Sequence, residues 1–333
     1  MKFQVLLEFP LSYHGFMEVW WDPELWREAR LKIQKPVSLT IGNFDGVHRG
    51  HQELLKAVVA DAERRQGLSI LMTFHPHPAQ ILTPEKKHVR LFTLEDQQEE
   101  LKKRGLQGIL RQPFSREFSE ISAPDFLEDY ILKYFQPKFL AVGHDFQFGA
   151  HRQGHMDLLA AFCEKRKIQL QKVPAFQVDG QIVSTSKIRQ HLLAGEPQMA
   201  EKMLGRRYYL KGVVEKGAKR GRSLGFPTAN IKPDVDFFPR MGVYICEVIR
   251  QEEPAKKLRA VMNVGMNRTF VEGDHQPIKA EVHILDFSQE LYGQTLKVEL
   301  CDYLREERKF PSLEELKNQI AQDAEKARKW SGK

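Results

Sequence analysis

The hydrophobic pattern divides the chain into two parts of different character. From residue 37 to about residue 195, short apolar runs alternate with amphipathic helical patterns, as in parallel strands joined by crossover helices. Past Gly205, strand-like segments follow one another without long helices between them, which predicts an antiparallel sheet or barrel. A last helix is predicted from Ser312, whose capping box is completed by Glu315. We therefore expect an α/β part and a β part, with a seam near residues 195–207.

Helix boundaries in the first part carry their own signals. The helix after the first strand is predicted to end at Gly67, a natural C-cap. Capping boxes predict two more helix starts, at Thr93 and at Ser122. For the helix that is predicted to end at Gly67, the apolar face is predicted to contain Leu54, Leu55, Val58, Val59 and Ala62. The predicted strands are VSLTIG, LSILMTF, GILRQPF, KFLAVGHDF and IQLQKVPAF in the first part, and VVEKG, GVYICEVIR, LRAVMNVG, EVHILDF and TLKVELCDYL in the second.

Composition favours a globular cytoplasmic protein. Hydrophobic residues make up 41% and charged residues 29% of the 333 residues, enough for buried cores and a polar surface. No apolar run approaches the roughly 18 residues of a membrane helix, so no membrane partner is expected. Cys163, Cys246 and Cys301 lie far apart, which favours buried free thiols over a disulfide framework or a zinc site.

The net charge of +7 is accompanied by a dense basic stretch, GRRYYLKGVVEKGAKRGR. On its own this stretch is compatible with a solvated face, with binding of a compact polyphosphate or with binding of nucleic acid. It contains no nucleic-acid motif and strand-like residues interrupt it, so we expect no nucleic-acid partner.

The segment GNFDGVHRGH, residues 42–51, lies where a buried strand meets a helix, the edge at which open α/β sheets bind ligands. Its glycines allow backbone amides to approach a phosphate, and the helix N-terminus adds unpaired N–H groups. His48 and His51 are three residues apart, which predicts two imidazoles on one helical face. Such imidazoles can donate hydrogen bonds to a phosphate while pyrophosphate leaves. The alternative is a pair of ordinary histidines beside a tight turn.

A second candidate segment, GAKRGRSLGFPTANI, occupies residues 217–231 and lacks the P-loop pattern. A loop rich in glycine and basic residues can wrap phosphates through backbone amides and cationic side chains. Thr228 and Asn230 alternate, so in an extended segment both present oxygens to Mg²⁺ on one face. The alternative is a surface hairpin.

These segments resemble the prokaryotic bifunctional riboflavin kinase/FAD synthetase family. The resemblance covers nearly all of residues 37–330. It includes four further segments: TFHPHP at 73–78, VGHDFQFG at 142–149, VSTSKIR at 183–189 and EVHILDF at 281–287.

The resemblance implies a Rossmann-like nucleotidyltransferase sheet followed by a riboflavin-kinase-type antiparallel barrel with a C-terminal helix. The expected domains are an FMN adenylyltransferase at 37–200 and a riboflavin kinase at 205–333, preceded by an extension of unknown role at 1–36. The implied substrates are riboflavin, FMN and ATP, with Mg²⁺ as cofactor. The resemblance leaves open whether the chain forms a homo-oligomer.

The family also implies roles for individual residues. His48 and His51 serve adenylyl transfer, and Glu281 is the general base of the kinase. The other implied residues are, for the adenylyltransferase nucleotide, Gly42, Asn43, Phe44, Asp45, Gly46, Asp145, Ser184, Thr185, Ser186 and Arg189; for the kinase phosphates, Gly217, Lys219, Gly221, Gly225, Thr228 and Asn230; for the metal, Thr228 and Asn230; and for the flavin, Arg305.

The chain departs from the family at a few positions. Ser184, Thr185 and Ser186 stand where the family usually has Ser-Ser-Thr, which keeps the hydroxyls. Asn267 and Arg268 replace an Arg-Pro pair, which weakens any role for those two positions.

Two other functions are compatible with parts of the sequence. One is a nucleotidyltransferase that acts on a different phosphorylated acceptor and carries a non-catalytic barrel. The other is a flavin- or nucleotide-binding regulator without turnover. The conjunction of GFPTAN with EVHILDF argues against the first, and the intact set of candidate catalytic residues argues against the second.

Overall fold

The computed structural model describes residues 17–86, 88–216, 225–266 and 278–332. The chain divides into two compact units, which we describe separately. The first comprises Met1–Phe44, His51–His88 and Gln98–Ala175, and the second comprises Asp45–Gly50, Val89–Gln97 and Phe176–Lys333.

The first unit is built on a six-stranded parallel sheet, as the alternating pattern predicted. Its strands are β1 Glu18–Trp20, β2 Val37–Ile41, β3 Leu68–His75, β4 Gly108–Pro113, β5 Phe139–Gly143 and β6 Gln169–Val173. They lie in the order β1-β4-β3-β2-β5-β6, and every pairing is parallel. All five residues of β2 are buried, as expected for a central strand covered on both faces.

Helices connect the strands of this sheet. Along the chain through residue 166 they are α1 Pro23–Ile33, α2 Arg49–Arg64, α3 Pro78–Leu82, α4 Leu94–Lys103, α5 Arg116–Ser119, α6 Ala123–Asp125, a π-helical turn Phe126–Leu132, α7 Lys133–Phe135, a 3₁₀ turn Ala150–Arg152 and α8 Met156–Arg166. The N-cap half of the capping boxes predicted at Thr93 and Ser122 is present, because each hydroxyl accepts a hydrogen bond from the backbone N–H three residues later.

The predicted C-cap role of Gly67 is wrong. The left-handed residue after α2 is Gln66, with φ 52°. Gly67 is required for another reason, since a Cβ there would lie 2.2 Å from the carbonyl oxygen of Pro36. A close approach between the ends of neighbouring elements therefore selects this glycine.

Residues 17–36 add a strand and a helix to the first unit. Strand β1 pairs with β4 at the sheet edge, and Asp22 caps helix α1 by accepting the N–H of Glu24. Trp26 of α1 is fully buried, and its indole N–H donates to the carbonyl oxygen of Tyr134 at 3.0 Å. This part of the N-terminal extension thus completes the sheet and its helical cover.

The second unit contains the predicted antiparallel barrel. Its elements are the two-stranded pair β7 Gln177–Val178 and β8 Gln181–Ile182, helices α9 Thr185–Ala194 and α10 Pro197–Leu204, the barrel strands β9 Tyr209–Glu215, β10 Ala229–Pro233, β11 Gly242–Arg250, β12 Glu253–Met266, β13 Ile278–Ile284 and β14 Thr295–Arg305, and the C-terminal helix α11 Leu313–Lys329. The barrel closes in the order β10-β13-β12-β11-β14-β9. Ser312 caps α11 as predicted, accepting the N–H of Glu315 at 3.2 Å.

The change of pattern near residues 195–207 is not a boundary in packing. One hydrophobic cluster of the second unit joins residues on both sides of that seam. It combines Leu91, Phe92, Ile188, Leu192, Met203 and Leu204 with barrel residues such as Tyr208, Val214, Tyr244 and Val298. Helices α9 and α10 therefore share their core with the barrel.

Candidate functional site

The loop that follows β2 has an unusual backbone. Phe44 and Val47 have φ values of 52° and 42°, and Gly46 between them has φ 82°. A β-branched residue such as Val47 rarely adopts this left-handed region, so surrounding contacts must hold the loop in place. Sparsely populated backbone conformations of this kind cluster at ligand sites.

Buried hydrogen bonds of Asp45 hold this loop. The Asp45 side chain is 3% exposed and accepts the N–H of Leu91 at 3.2 Å and Nη2 of Arg189 at 2.5 Å. The backbone carbonyl of Asp45 accepts the hydroxyl of Thr185 at 2.9 Å. Asp45, Thr185 and Arg189, which are far apart in sequence, thus form one cluster within the second unit.

The prediction that the two motif histidines share one helical face is wrong. Helix α2 begins at Arg49, so His48 precedes it and only His51 lies in its first turn. His48 is 7% exposed, and its ring packs so closely over Gly50 that a Cβ there would come within 3.3 Å of it. In the first unit, the ring of His51 stacks on Phe44, with centroids 4.5 Å apart. Two different packing arrangements therefore orient the two imidazoles.

Gly42 and Asn43 continue directly from β2 at the carboxyl edge of the sheet. The N–H of Gly42 donates to Met72, and the carbonyl of Asn43 accepts the hydroxyl of Thr73. Asp145 follows β5, the strand next to β2, and its side chain is 83% exposed. Within the first unit, these three predicted site residues lie at the same sheet edge.

The serine-rich segment before α9 has mixed roles. Ser184 is the N-cap and accepts the N–H of Lys187 at 3.3 Å, whereas Ser186 is exposed. Arg189 lies one turn into α9. In addition to its bond with Asp45, its guanidinium donates to the carbonyl of Val89 at 2.9 Å. Its Nε is buried without a hydrogen-bond partner among the described residues.

Arg90 is a residue of this cluster that the sequence analysis missed. Burial lowers its pKa and the nearby Arg189 lowers it further, while Asp45 opposes both effects. Its Nη2 is buried, again without a partner in the described ranges. Two guanidinium groups thus lie close to one buried carboxylate, an arrangement suited to an anionic ligand. Hydrophobic periodicity and motif spacing could not point to Arg90, because this residue lies in a loop.

In the barrel, strand pairing brings the kinase candidates together. Asn230 of β10 is directly opposite Glu281 of β13, and Glu281 is in turn opposite Asn263 of β12. Directly paired residues point to the same side of a sheet. Val282 and Ile284 face the buried core, so the polar row of Asn230, Glu281 and Asn263 faces outward.

Asn263 is a second residue that the sequence analysis missed. Its Nδ2 donates weakly to Oε1 of Glu307 at 3.4 Å, and its Oδ1 has no partner in the part of the chain that the structure describes. In the sequence Asn263 was notable only for lying in the predicted strand LRAVMNVG. A strand pattern does not show which residue of the neighbouring strand lies opposite.

Alternation along the predicted strand EVHILDF places Glu281, His283 and Leu285 on one face. The structure keeps this alternation only within β13. Glu281 and His283 share the outer face as expected. Leu285, expected on that face, is instead buried, and Asp286 has φ 55°. The strand ends at Ile284, so the period of two stops there.

The glycine-rich part of the second motif is described only at its end. Gly225 is exposed with φ 86°, and Thr228 is half-buried just before β10. Gly217, Lys219 and Gly221 lie outside the described residues, as do Asn267 and Arg268.

Arg305 has a clear structural partner. Its guanidinium makes three contacts of 2.7–3.2 Å with the carboxylate of Asp323, which is 2% exposed on α11. This ion pair docks the C-terminal helix against the barrel. Any role of Arg305 toward a flavin has to coexist with that pairing.

The oxygen atoms of Thr228 and of the polar row are of the kinds that bind a magnesium ion. Hydroxyl, amide and carboxylate oxygens are the ligands that Mg²⁺ prefers, and Mg²⁺ usually takes only one or two protein ligands besides substrate phosphates. Within residues 17–86, 88–216, 225–266 and 278–332, no cluster of three or more His, Cys, Asp or Glu side chains could hold a metal. Thr228 and Asn230 would hold the ion together with a bound nucleotide.

Each half of the chain matches a known protein family. A family described as FAD synthetase matches residues 30–187, and one described as riboflavin kinase matches residues 204–331. The chain is 38% identical to the bifunctional riboflavin kinase/FMN adenylyltransferase of Escherichia coli strain K12, across 90% of this chain and 94% of that protein. The corresponding Bacillus subtilis enzyme is 33% identical, across 87% and 90%.

A solved structure shows the same fold over most of the chain. It is a Streptococcus pneumoniae protein described as a macrolide-efflux protein, with a TM-score of 0.80 and 32% identity over 89% of this chain and 95% of that chain. Among the described residues here, no helix is long and apolar enough to cross a membrane.

Proposed function

Because this chain belongs to the bifunctional riboflavin kinase/FMN adenylyltransferase family, we propose that it makes FAD from riboflavin in two ATP-dependent steps. Riboflavin and ATP give FMN and ADP, and FMN with a second ATP gives FAD and pyrophosphate. The observation that carries the kinase step is the pairing of Asn230 with Glu281 across two barrel strands.

In the kinase step, Glu281 accepts the proton of the terminal ribityl hydroxyl as that oxygen bonds to the γ-phosphorus of ATP. The bond from the γ-phosphorus to the bridging oxygen breaks, and ADP leaves. Thr228 and Asn230 would hold Mg²⁺, and a bound Mg²⁺ would neutralise phosphate charge. Since strand pairing fixes Asn230 beside Glu281, base and metal ligand keep a constant separation.

In the adenylyltransferase step, a phosphate oxygen of FMN bonds to the α-phosphorus of ATP while pyrophosphate departs. His48 and His51 donate hydrogen bonds to the phosphates as charge develops. Arg189 and the N-terminus of α9 add positive potential, with Ser184, Thr185 and Ser186 as hydroxyl donors. The left-handed backbone at Phe44, Gly46 and Val47 is consistent with a loop shaped for close approach to a phosphate.

The nucleotidyltransferase with a non-catalytic barrel is the weaker alternative. The riboflavin kinase family matches the barrel along residues 204–331, and the polar row on its outer face carries the groups that phosphoryl transfer needs. We place the protein in the cytoplasm, where its small-molecule substrates riboflavin, FMN and ATP are available.

One incubation tests the proposal. Purified protein is mixed with riboflavin, ATP and Mg²⁺, and flavins are separated by chromatography over time. We expect FMN to appear first and FAD to follow, and omission of Mg²⁺ should stop both. FMN without FAD would remove the adenylyltransferase, and absence of both products would overturn the proposed function.

A further inference from the structure

His283 lies two residues beyond Glu281 on β13, so both side chains point to the outer face of the barrel. Both are partly exposed, while Val282 and Ile284 on either side of His283 are buried. His283 is therefore free of the core and next to the proposed base.

A hydrogen bond joins His283 to the neighbouring metal-binding segment. Its Nδ1 lies 2.9 Å from the carbonyl oxygen of Pro227. A carbonyl oxygen only accepts, so Nδ1 carries the proton and donates. The imidazole also packs edge-on against Phe226, with ring centroids 5.4 Å apart. One side chain thus contacts both residues that precede Thr228.

Backbone pairing does not fix Thr228. Strand β10 begins at Ala229, which pairs with Val282, so the ladder with β13 does not include Thr228. Pro227 has no N–H and cannot donate to a neighbouring strand. The bond from His283 to Pro227 therefore does for this segment what the ladder does for Asn230.

We propose that His283 is a positioning residue of the kinase: its Nδ1–H holds the carbonyl of Pro227 and thereby places the Thr228 hydroxyl relative to Glu281. The inference rests on the proposed riboflavin kinase function. It assigns His283 no contact with substrate, since His283 acts through the backbone that carries Thr228.

Two substitutions of similar size separate this role from simple packing. In His283→Asn the amide nitrogen can donate from nearly the place of Nδ1, whereas in His283→Gln the amide lies near the place of Nε2. We expect His283→Asn to keep most kinase activity. We expect His283→Gln and His283→Ala to lower kcat/KM for ATP by about 10- to 100-fold, as when a partner that orients a metal ligand is lost.

The readouts distinguish positioning from general damage. In His283→Gln the Mg²⁺ concentration for half-maximal rate should rise, while the KM for riboflavin changes little. Adenylylation of supplied FMN and the melting temperature should stay at wild-type values. Equal activity of the Asn and Gln variants, or a wild-type Mg²⁺ dependence in His283→Gln, would overturn the proposal.

A second measurement does not depend on any variant. Nitrogen-15 NMR of the wild-type protein should show the neutral His283 ring protonated at Nδ1. A ring protonated at Nε2 would contradict the proposed donor. If the wild-type protein makes no FMN at all, the kinase function itself fails; if it makes FMN and the Gln variant matches it, only the role of His283 fails.

Discussion

The motif loop after β2 and the polar row on the barrel assemble chemical groups in opposite ways. The loop concentrates its candidates in one stretch, residues 42–51, whose backbone includes left-handed residues at Phe44 and Val47. The barrel takes single residues from separate strands and aligns them by pairing, as with Asn230 and Glu281. A loop site needs contacts that hold an unfavourable backbone, whereas a strand site gains its geometry from the ladder itself.

The largest expected effect tests whether the loop serves only one reaction. His48→Ala combined with His51→Ala should lower FAD formation from FMN by about 10⁴-fold, since each lost donor typically costs about 10²- to 10³-fold. FMN should accumulate from riboflavin at the wild-type rate. Chromatography of both half-reactions measures this, after a check of melting behaviour because His48 is buried. Undiminished FAD synthesis would reduce the histidines to scaffolding.

The next effect tests the polar row of the barrel. Glu281→Gln should lower the kinase kcat by about 10²- to 10⁴-fold, because the variant keeps the shape and loses the base. Adenylylation of supplied FMN should survive.

Glu215→Gln is a matched control for this variant. Glu215 lies in the same row on the other side of Asn230 and is half exposed beside Lys232. Its loss should change the rate by less than about threefold, well short of a base contribution. If both variants behave alike, the position of Glu281 in the row has no special meaning.

A stability measurement tests whether Asp45 holds the loop. Asp45→Asn removes the buried carboxylate that pairs with the partly buried Arg189, so we expect a loss of about 3 kcal/mol in the free energy of unfolding. Denaturant unfolding gives this value. Asp179→Asn is the control, because the ion pair of Asp179 with Lys202 is exposed and worth less than about 1 kcal/mol. Equal losses would show that Asp45 is not the anchor.

The smallest effect concerns Asp61, whose side chain joins α2 to β2. Burial alone raises the pKa of Asp61, but hydrogen bonds from Ser38 of β2 and from Arg65 and Arg64 outweigh it and hold the pKa below 3.8. A lowered folded-state pKa contributes stability above the unfolded-state pKa and loses it as pH falls through the folded value. Asp61→Asn should cost about 2 kcal/mol at pH 7, the worth of hydrogen bonds to a charged group.

The pH dependence separates this charge effect from lost packing. The stability difference between wild type and Asp61→Asn should shrink as the pH falls below 3.8. Thermal or denaturant unfolding at several pH values measures it. A difference that stays constant across that range would mean that the charge of Asp61 contributes nothing.

Sequence patterns predicted the element types well and some details poorly. Alternating apolar runs were sufficient for the parallel sheet and the barrel, because burial on one or both faces imposes the period. The strand Glu18–Trp20 was missed, since three residues are too short to show a period. The roles of Gly67 and Leu285 were wrong because a close contact and a strand end, respectively, override the local pattern.

The candidate site residues also divide into those that the sequence motifs reveal and those that only the fold reveals. Dense motifs identified His48, His51, Thr228 and Asn230 as candidates, whose roles stay proposals. Arg90 and Asn263 could not be found, because their significance depends on neighbours distant in the chain.

By itself the sequence determined which segments bury apolar side chains, where some of the helices begin, and where chemistry-bearing residues are concentrated. These properties depend on residues a few positions apart, so local spacing encodes them. Only the tertiary structure decided that the buried Asp45 pairs with Arg189, that His283 holds Pro227, and that α9 and α10 share a core with the barrel. Such contacts join residues distant along the chain, and chain folding alone brings them within hydrogen-bonding distance.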